Sequence, residues 1–242
     1  MNKNALVIGA SGGIAKVLIE KLVNTGEYET VYTVSRSAPD SILQGQQHES
    51  FDTVSEADVD DYVSKLKRSG VTLDYVVCAT GILHTSGEMT LKPEKRLEDM
   101  NEEQFAEYFR VNTVLPAIWL KKLVKVVNKS GATIIFFSAR VGSITDNSLG
   151  GWYGYRASKA ALNMLVKTAA IEYRRRLPNT VLVCYHPGTV NTSLSKPFQT
   201  NVKQGKLFSP DFTCESLLKI SSGLPVEQSP YYLDWAGEKI PW

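Results

Sequence analysis

Short, mostly apolar runs alternate along this chain with longer stretches in which apolar residues recur every three or four positions. The runs "ALVIGA" (5–10), "TVYTVSR" (30–36), "LDYVVCATG" (73–81), "ATIIFFSA" (132–139) and "TVLVCYHPG" (180–188) read as strands. Residues 14–26, 58–70, 102–128 and 155–175 read as helices; the first two close on Gly26 and Gly70, and the third is expected to be disturbed at Pro116. A strand that is apolar at successive positions must be covered on both faces. The pattern therefore predicts an α/β fold, a doubly wound parallel sheet with helices on both sides. With 242 residues and no linker, repeat or low-complexity tract, one domain over 1–242 is expected. Residues 193–212, polar and broken by Pro197, Gly205 and Pro210, read as a long loop of the kind that covers a substrate, and 229–242 as a last strand and turn.

Composition removes several classes of function. Basic and acidic residues nearly cancel, 27 against 25, so no global charge argues for nucleic acid or an anionic membrane as partner. The basic run Arg174–Arg176 precedes Pro178, where cations suit a helix C-terminus. Cys78, Cys184 and Cys214 are an odd number without metal-ligand spacing, so free thiols in a reducing cytoplasm and no bound metal are expected. No apolar run is long enough for a signal peptide core or a bilayer span.

Gly9, Gly12 and Gly13, in "LVIGASGGIAK", fall directly between the first strand and the first helix. Glycines there permit a tight turn and leave helix N–H groups free for a pyrophosphate, which points to a dinucleotide. After the second strand an acidic residue would suit the ribose of NAD, whereas a cation suits the additional phosphate of NADP. This chain has Arg36 there, with Ser11, Ser35 and Ser37 as further donors, so NADP(H) is preferred over NAD(H).

In "GGWYGYRASKAAL" (150–162), Lys159 lies four residues after Tyr155, one turn on along the same helix face, whereas Tyr153 points elsewhere. A cation one turn from a phenol favours the phenolate and draws a pKa of about 10 toward neutrality. The same residues also suit a plain helix start with an aromatic ring on the core.

With these two features in order, the sequence resembles the short-chain dehydrogenase/reductase family over nearly its whole length. Gly9 and Gly13 match the glycine motif, with Ala15 for its last glycine. Asp52 matches the acid that meets the adenine, and Ala79, Thr80 and Gly81 fall in the stretch after the fourth strand. Asn112 matches the central-helix asparagine, Tyr155 and Lys159 the Y-x-x-x-K pair, and Pro187, Gly188 and Thr192 the segment along the nicotinamide. The resemblance implies a Rossmann-type fold with Ile14 and Val190 also against the cofactor. More narrowly, "SARVGSI", "GGWYGYRASKAALN" and the ending "IPW" resemble the C-factor (C-signal)/sniffer-type subgroup, which includes carbonyl reductases and developmental signalling proteins.

The resemblance implies reduction of an aldehyde or ketone to an alcohol, with Tyr155 as proton donor. Lys159 would lower its pKa and hold the nicotinamide ribose, and Asn112 would support a water relay. The family's substrate-polarising serine falls on Ala139; Ser138 is preferred as its replacement, with Ser143 as the alternative. His84 and His186 suit local loop contacts, without the spacing of a metal site. A regulatory or signalling protein that binds NADP with little catalysis remains the alternative. The resemblance also implies a homodimer or homotetramer through the helices at 102–128 and 155–175.

Overall fold

The computed structural model describes residues 3–86 and 90–242. Its centre is a seven-stranded sheet in the order β3-β2-β1-β4-β5-β6-β9, parallel throughout. The first half comprises β1 (Lys3–Ile8), α1 (Gly13–Asn24), β2 (Tyr28–Ser35), β3 (Gln46–Ser50), α2 (Glu56–Arg68) and β4 (Tyr75–Cys78). Next come α3 (Glu102–Phe109), a π-helical turn (Arg110–Val114), α4 (Leu115–Leu123), β5 (Ala132–Phe137), α5 (Tyr153–Arg176) and β6 (Thr180–His186). The chain closes with β7 (Thr189–Val190), β8 (Leu207–Phe208), α6 (Pro210–Ser221) and β9 (Tyr231–Asp234).

Alternation along each strand splits the core in two. On β1, Leu6 and Ile8 face a layer built with α2, α4 and α5, including Val59, Trp119 and Leu162. Ala5 and Val7 face the opposite layer, where Leu18 and Leu22 of α1 meet Leu217 of α6. The sheet is thus covered on both faces, as its apolar strands require.

One element was not read from the sequence, and three local features depart from that reading. The polar segment ending at Ser50 is a strand, β3; it sits at the sheet edge, where solvent satisfies side chains that a central strand could not accept. The helix expected over 102–128 is three pieces, and its disturbance precedes Pro116. That proline lies in the first turn of α4, where a missing N–H is harmless, and the π turn closes with Leu115 N–H donating to the Arg110 carbonyl. Residues 193–212 are more ordered than a loop: a 3-10 turn spans Lys196–Asn201, β8 pairs with β7, and α6 starts at Pro210 with the Ser209 hydroxyl capping Phe212 N–H. Finally, α5 opens at Tyr153, two residues before Tyr155.

Candidate active site

The carboxyl ends of β4, β5 and β6, with the start of α1, enclose a cleft of about 380 Å³. It opens beside the point where sheet growth reverses between β1 and β4, the usual ligand crevice of such sheets.

Glycine shapes its floor. Gly9 has φ +84°, and a Cβ on it would stand 2.7 Å from Thr80 Cγ2. A Cβ on Gly13 would stand 3.1 Å from Thr192 Cγ2, so the α1 turn closely approaches the segment after β7. The N-cap of α1 is Gly12 and no side chain caps that helix, which leaves its first N–H groups to a ligand. Arg36 and Ser11 are exposed near this turn, while Ser35 donates its hydroxyl to the Ser37 carbonyl at 2.7 Å. Asp52 is exposed and accepts from Val54 N–H at 3.2 Å, forming the turn into α2.

Of the candidate residues, Gly12, Gly13, Ile14, Ala79, Thr80, Gly81, Ser138, Tyr155, Lys159, Pro187, Gly188, Val190 and Thr192 line this one cleft. Gly9, Ser11, Arg36, Asp52, Asn112 and Ser143 lie outside its lining.

Tyr155 and Lys159 are both buried on the first turns of α5. The Lys159 Nζ stands 5.9 Å from the Tyr155 ring centre and donates to the Phe137 carbonyl at 2.8 Å. Burial pushes the Tyr155 phenol above its ordinary range and draws the Lys159 ammonium down to about 8. Asn112 is fully buried and its amide is committed. Oδ1 accepts from Ile82 N–H at 2.8 Å, and Nδ2 donates to the Ile82 carbonyl at 3.0 Å and to Ser158 Oγ at 3.1 Å. Its side chain thus clamps the turn after β4, while Pro116, four residues on, has no N–H to offer its backbone carbonyl.

Both serines are engaged elsewhere. Ser138 donates to Asn163 Oδ1 at 2.7 Å, and Ser143 donates to the Pro241 carbonyl while accepting from Asp146 N–H. At the intervening position the Ala139 methyl joins an apolar cluster with Tyr155, Leu83 and Tyr108. Around Tyr155 the wall continues with Trp152 and Phe198, ring centres 5.1 Å apart. Leu83, Val141, Trp152 and Val202 were not singled out from the sequence. Trp152 sits within the Tyr–Lys stretch itself, and its place before a glycine-flanked helix start was the signal available. His84 bridges to the Ser193 carbonyl at 3.1 Å and meets the Phe198 ring. His186 lines the cleft with a buried Nδ1 that has no hydrogen-bond partner among the described residues; burial first, and then Arg140, hold its pKa down to about 4. Among the described residues no group of three His, Cys, Asp or Glu could hold a metal, and no helix is long and apolar enough to cross a membrane.

The short chain dehydrogenase family model matches residues 3–203. C-signal of Myxococcus xanthus is 31% identical over 60% of this chain and 83% of its own length. The carbonyl reductase Sniffer of D. melanogaster superposes with a TM-score of 0.85 at 20% identity, covering both chains in full. An NADPH-bound carbonyl reductase from chicken fatty liver superposes with a TM-score of 0.83 at 22% identity, covering 100% of this chain and 99% of that one.

Proposed function

Because the chain belongs to the short chain dehydrogenase family, in the C-signal and Sniffer group of these oxidoreductases, we propose that it reduces an apolar aldehyde or ketone to an alcohol with NADPH. One observation carries this reading: Tyr155, Lys159 and the glycine turn of α1 converge on a single cleft. The residues present fit the cofactor. The uncapped α1 terminus and the close approaches at Gly9 and Gly13 suit a pyrophosphate, and the orphaned Nδ1 of His186 suits a polar group at the far end. Arg36 and Ser11 beside the adenosine end, and the NADPH in the chicken liver enzyme, favour NADPH over NADH.

When bound, the dihydronicotinamide supplies a hydride to the carbonyl carbon. Tyr155, which burial keeps protonated, donates its proton to the carbonyl oxygen as the alcohol forms. Lys159 stabilises the resulting phenolate and holds the nicotinamide ribose. Asn112 shapes the route by which solvent returns a proton, through its backbone carbonyl. Leu83, Trp152 and Phe198 form the apolar wall for the substrate body, and the segment 193–212 closes over it. Ser138 is the second donor once its hydroxyl turns from Asn163. The exposed Val114, Met164 and Ile171 supply an apolar face for a homodimer or homotetramer, and the three free thiols suit the cytoplasm.

The engaged serines and the Ala139 methyl favour a second reading, an NADP-binding signalling protein with weak catalysis, in keeping with the likeness to C-signal. Thermal-shift titration with NADPH and NADH, followed by turnover of Tyr155→Phe, separates the two. At 100-fold its dissociation constant NADPH should add about 2.7 kcal/mol of stability. Tyr155→Phe should lose about 10²–10⁴-fold in turnover while keeping that shift. A wild-type protein that binds NADPH yet reduces no member of a carbonyl panel favours signalling.

A further inference from the structure

We propose that Glu94 is a positioning residue for Tyr155, clamping the start of α5 from a segment sixty residues away; this rests on Tyr155 as the proton donor. The α2, α3 and α6 helices each open on a side-chain cap from their own sequence: Ser55, Asn101 and Ser209. The longest helix, α5, has none. Its N-cap is Trp152, which offers no capping group, and its first turn has no acidic residue.

Glu94 fills that role from the loop between β4 and α3. Its carboxylate Oε2 accepts from Gly154 N–H at 3.2 Å, and its backbone carbonyl accepts from Trp152 N–H. These two bonds fix the residues on either side of Tyr153, and the second holds Trp152 at φ +54°, a left-handed backbone that a tryptophan rarely adopts. Glu94 is 1% exposed, and its second oxygen, Oε1, is buried with no hydrogen-bond partner among the described residues. It is seated where only glycine leaves room: a Cβ on Gly154 would stand 2.9 Å from Oε1 and 2.5 Å from the Tyr108 ring. Tyr108, anchored by its hydroxyl to the Leu83 carbonyl at 2.7 Å, meets the Tyr155 ring edge-on at 6.3 Å between centres, and Trp152 meets it at 6.1 Å. Of the two rings bracketing Tyr155, Trp152 is tied to Glu94 through its backbone, and Tyr108 packs against Gly154, whose N–H Glu94 holds. Glu94 itself lies outside the cleft lining, behind the residues that face it.

The test pairs Glu94→Ala with Glu94→Gln, which keeps the shape and an acceptor oxygen. In ¹³C-tyrosine-labelled protein the Tyr155 ring resonance is assigned by its loss in Tyr155→Phe. Glu94→Ala should displace or broaden that resonance and lower kcat about 10–100-fold, as small misplacements of reacting groups do, with the NADPH dissociation constant within about twofold of wild type. Glu94→Gln should return both the resonance and kcat. An unmoved Tyr155 resonance in folded Glu94→Ala overturns the proposal. So does Glu94→Gln failing like alanine, or a loss of NADPH binding as large as the loss of kcat. If wild type reduces no carbonyl, the catalytic reading falls, while the resonance still decides whether Glu94 positions Tyr155.

Discussion

The Lys159 ammonium is drawn down to about 8 because burial strips it of water, while its one hydrogen bond goes to a neutral carbonyl. As pH rises through that value the ammonium loses its proton, and the charge beside Tyr155 disappears. The kcat/KM for carbonyl reduction should therefore fall along a limb centred near pH 8, measured with NADPH on the purified protein. Stability should move the other way. The folded pKa lies below the unfolded value of 10.5, so between them the unfolded chain holds more protons and folding strengthens as pH rises. Falling activity with a rising Tm would locate the loss at Lys159; a flat profile through pH 8 would remove the lysine from that role.

Turns and caps decide where such residues stand. Gly9 takes φ +84° at the end of β1, and a methyl group there would strike Thr80. Gly9→Ala should lower Tm by about 2–8 °C, from a left-handed penalty of about 1–2 kcal/mol in a chain of this length. It should also shrink the shift produced by NADPH; an unaltered shift would show that the β1–α1 turn does not carry the pyrophosphate. Elements were legible in the sequence where a local rule suffices. The apolar runs of β1, β4, β5 and β6 announce buried strands, and the four-residue step from Tyr155 to Lys159 survives because both lie on one helix. The edge strand β3 was illegible because its polar residues carry no apolar period, and α6 because a proline and a capping serine look like loop punctuation. The engagement of Ser138 with Asn163, and of Glu94 with Gly154, was illegible for another reason. Each partner lies 25 or 60 residues away, and spacing says nothing about such pairs.

At the scale of the molecule, His186 sets an acid limit. Its half-buried ring, with Nδ1 turned inward, has a pKa of about 4, against 6.5 when unfolded, so between those values the unfolded chain binds the additional proton. Stability should decline as pH falls across that window, and His186→Gln should flatten the decline in Tm; an identical decline in both proteins would assign it to other groups. The sheet that carries this histidine runs unbroken through seven strands, from β3 at one edge to β9 at the other. A floor of that kind has no hinge. The two ends of the cleft cannot part as jaws do, so passage in and out falls to the strap over its mouth, where His84 and Trp152 both lean on Phe198. For the proposed reduction this puts the gate in a few aromatic rings at the mouth and not in the core, so a turnover limited by a conformational step would be limited there.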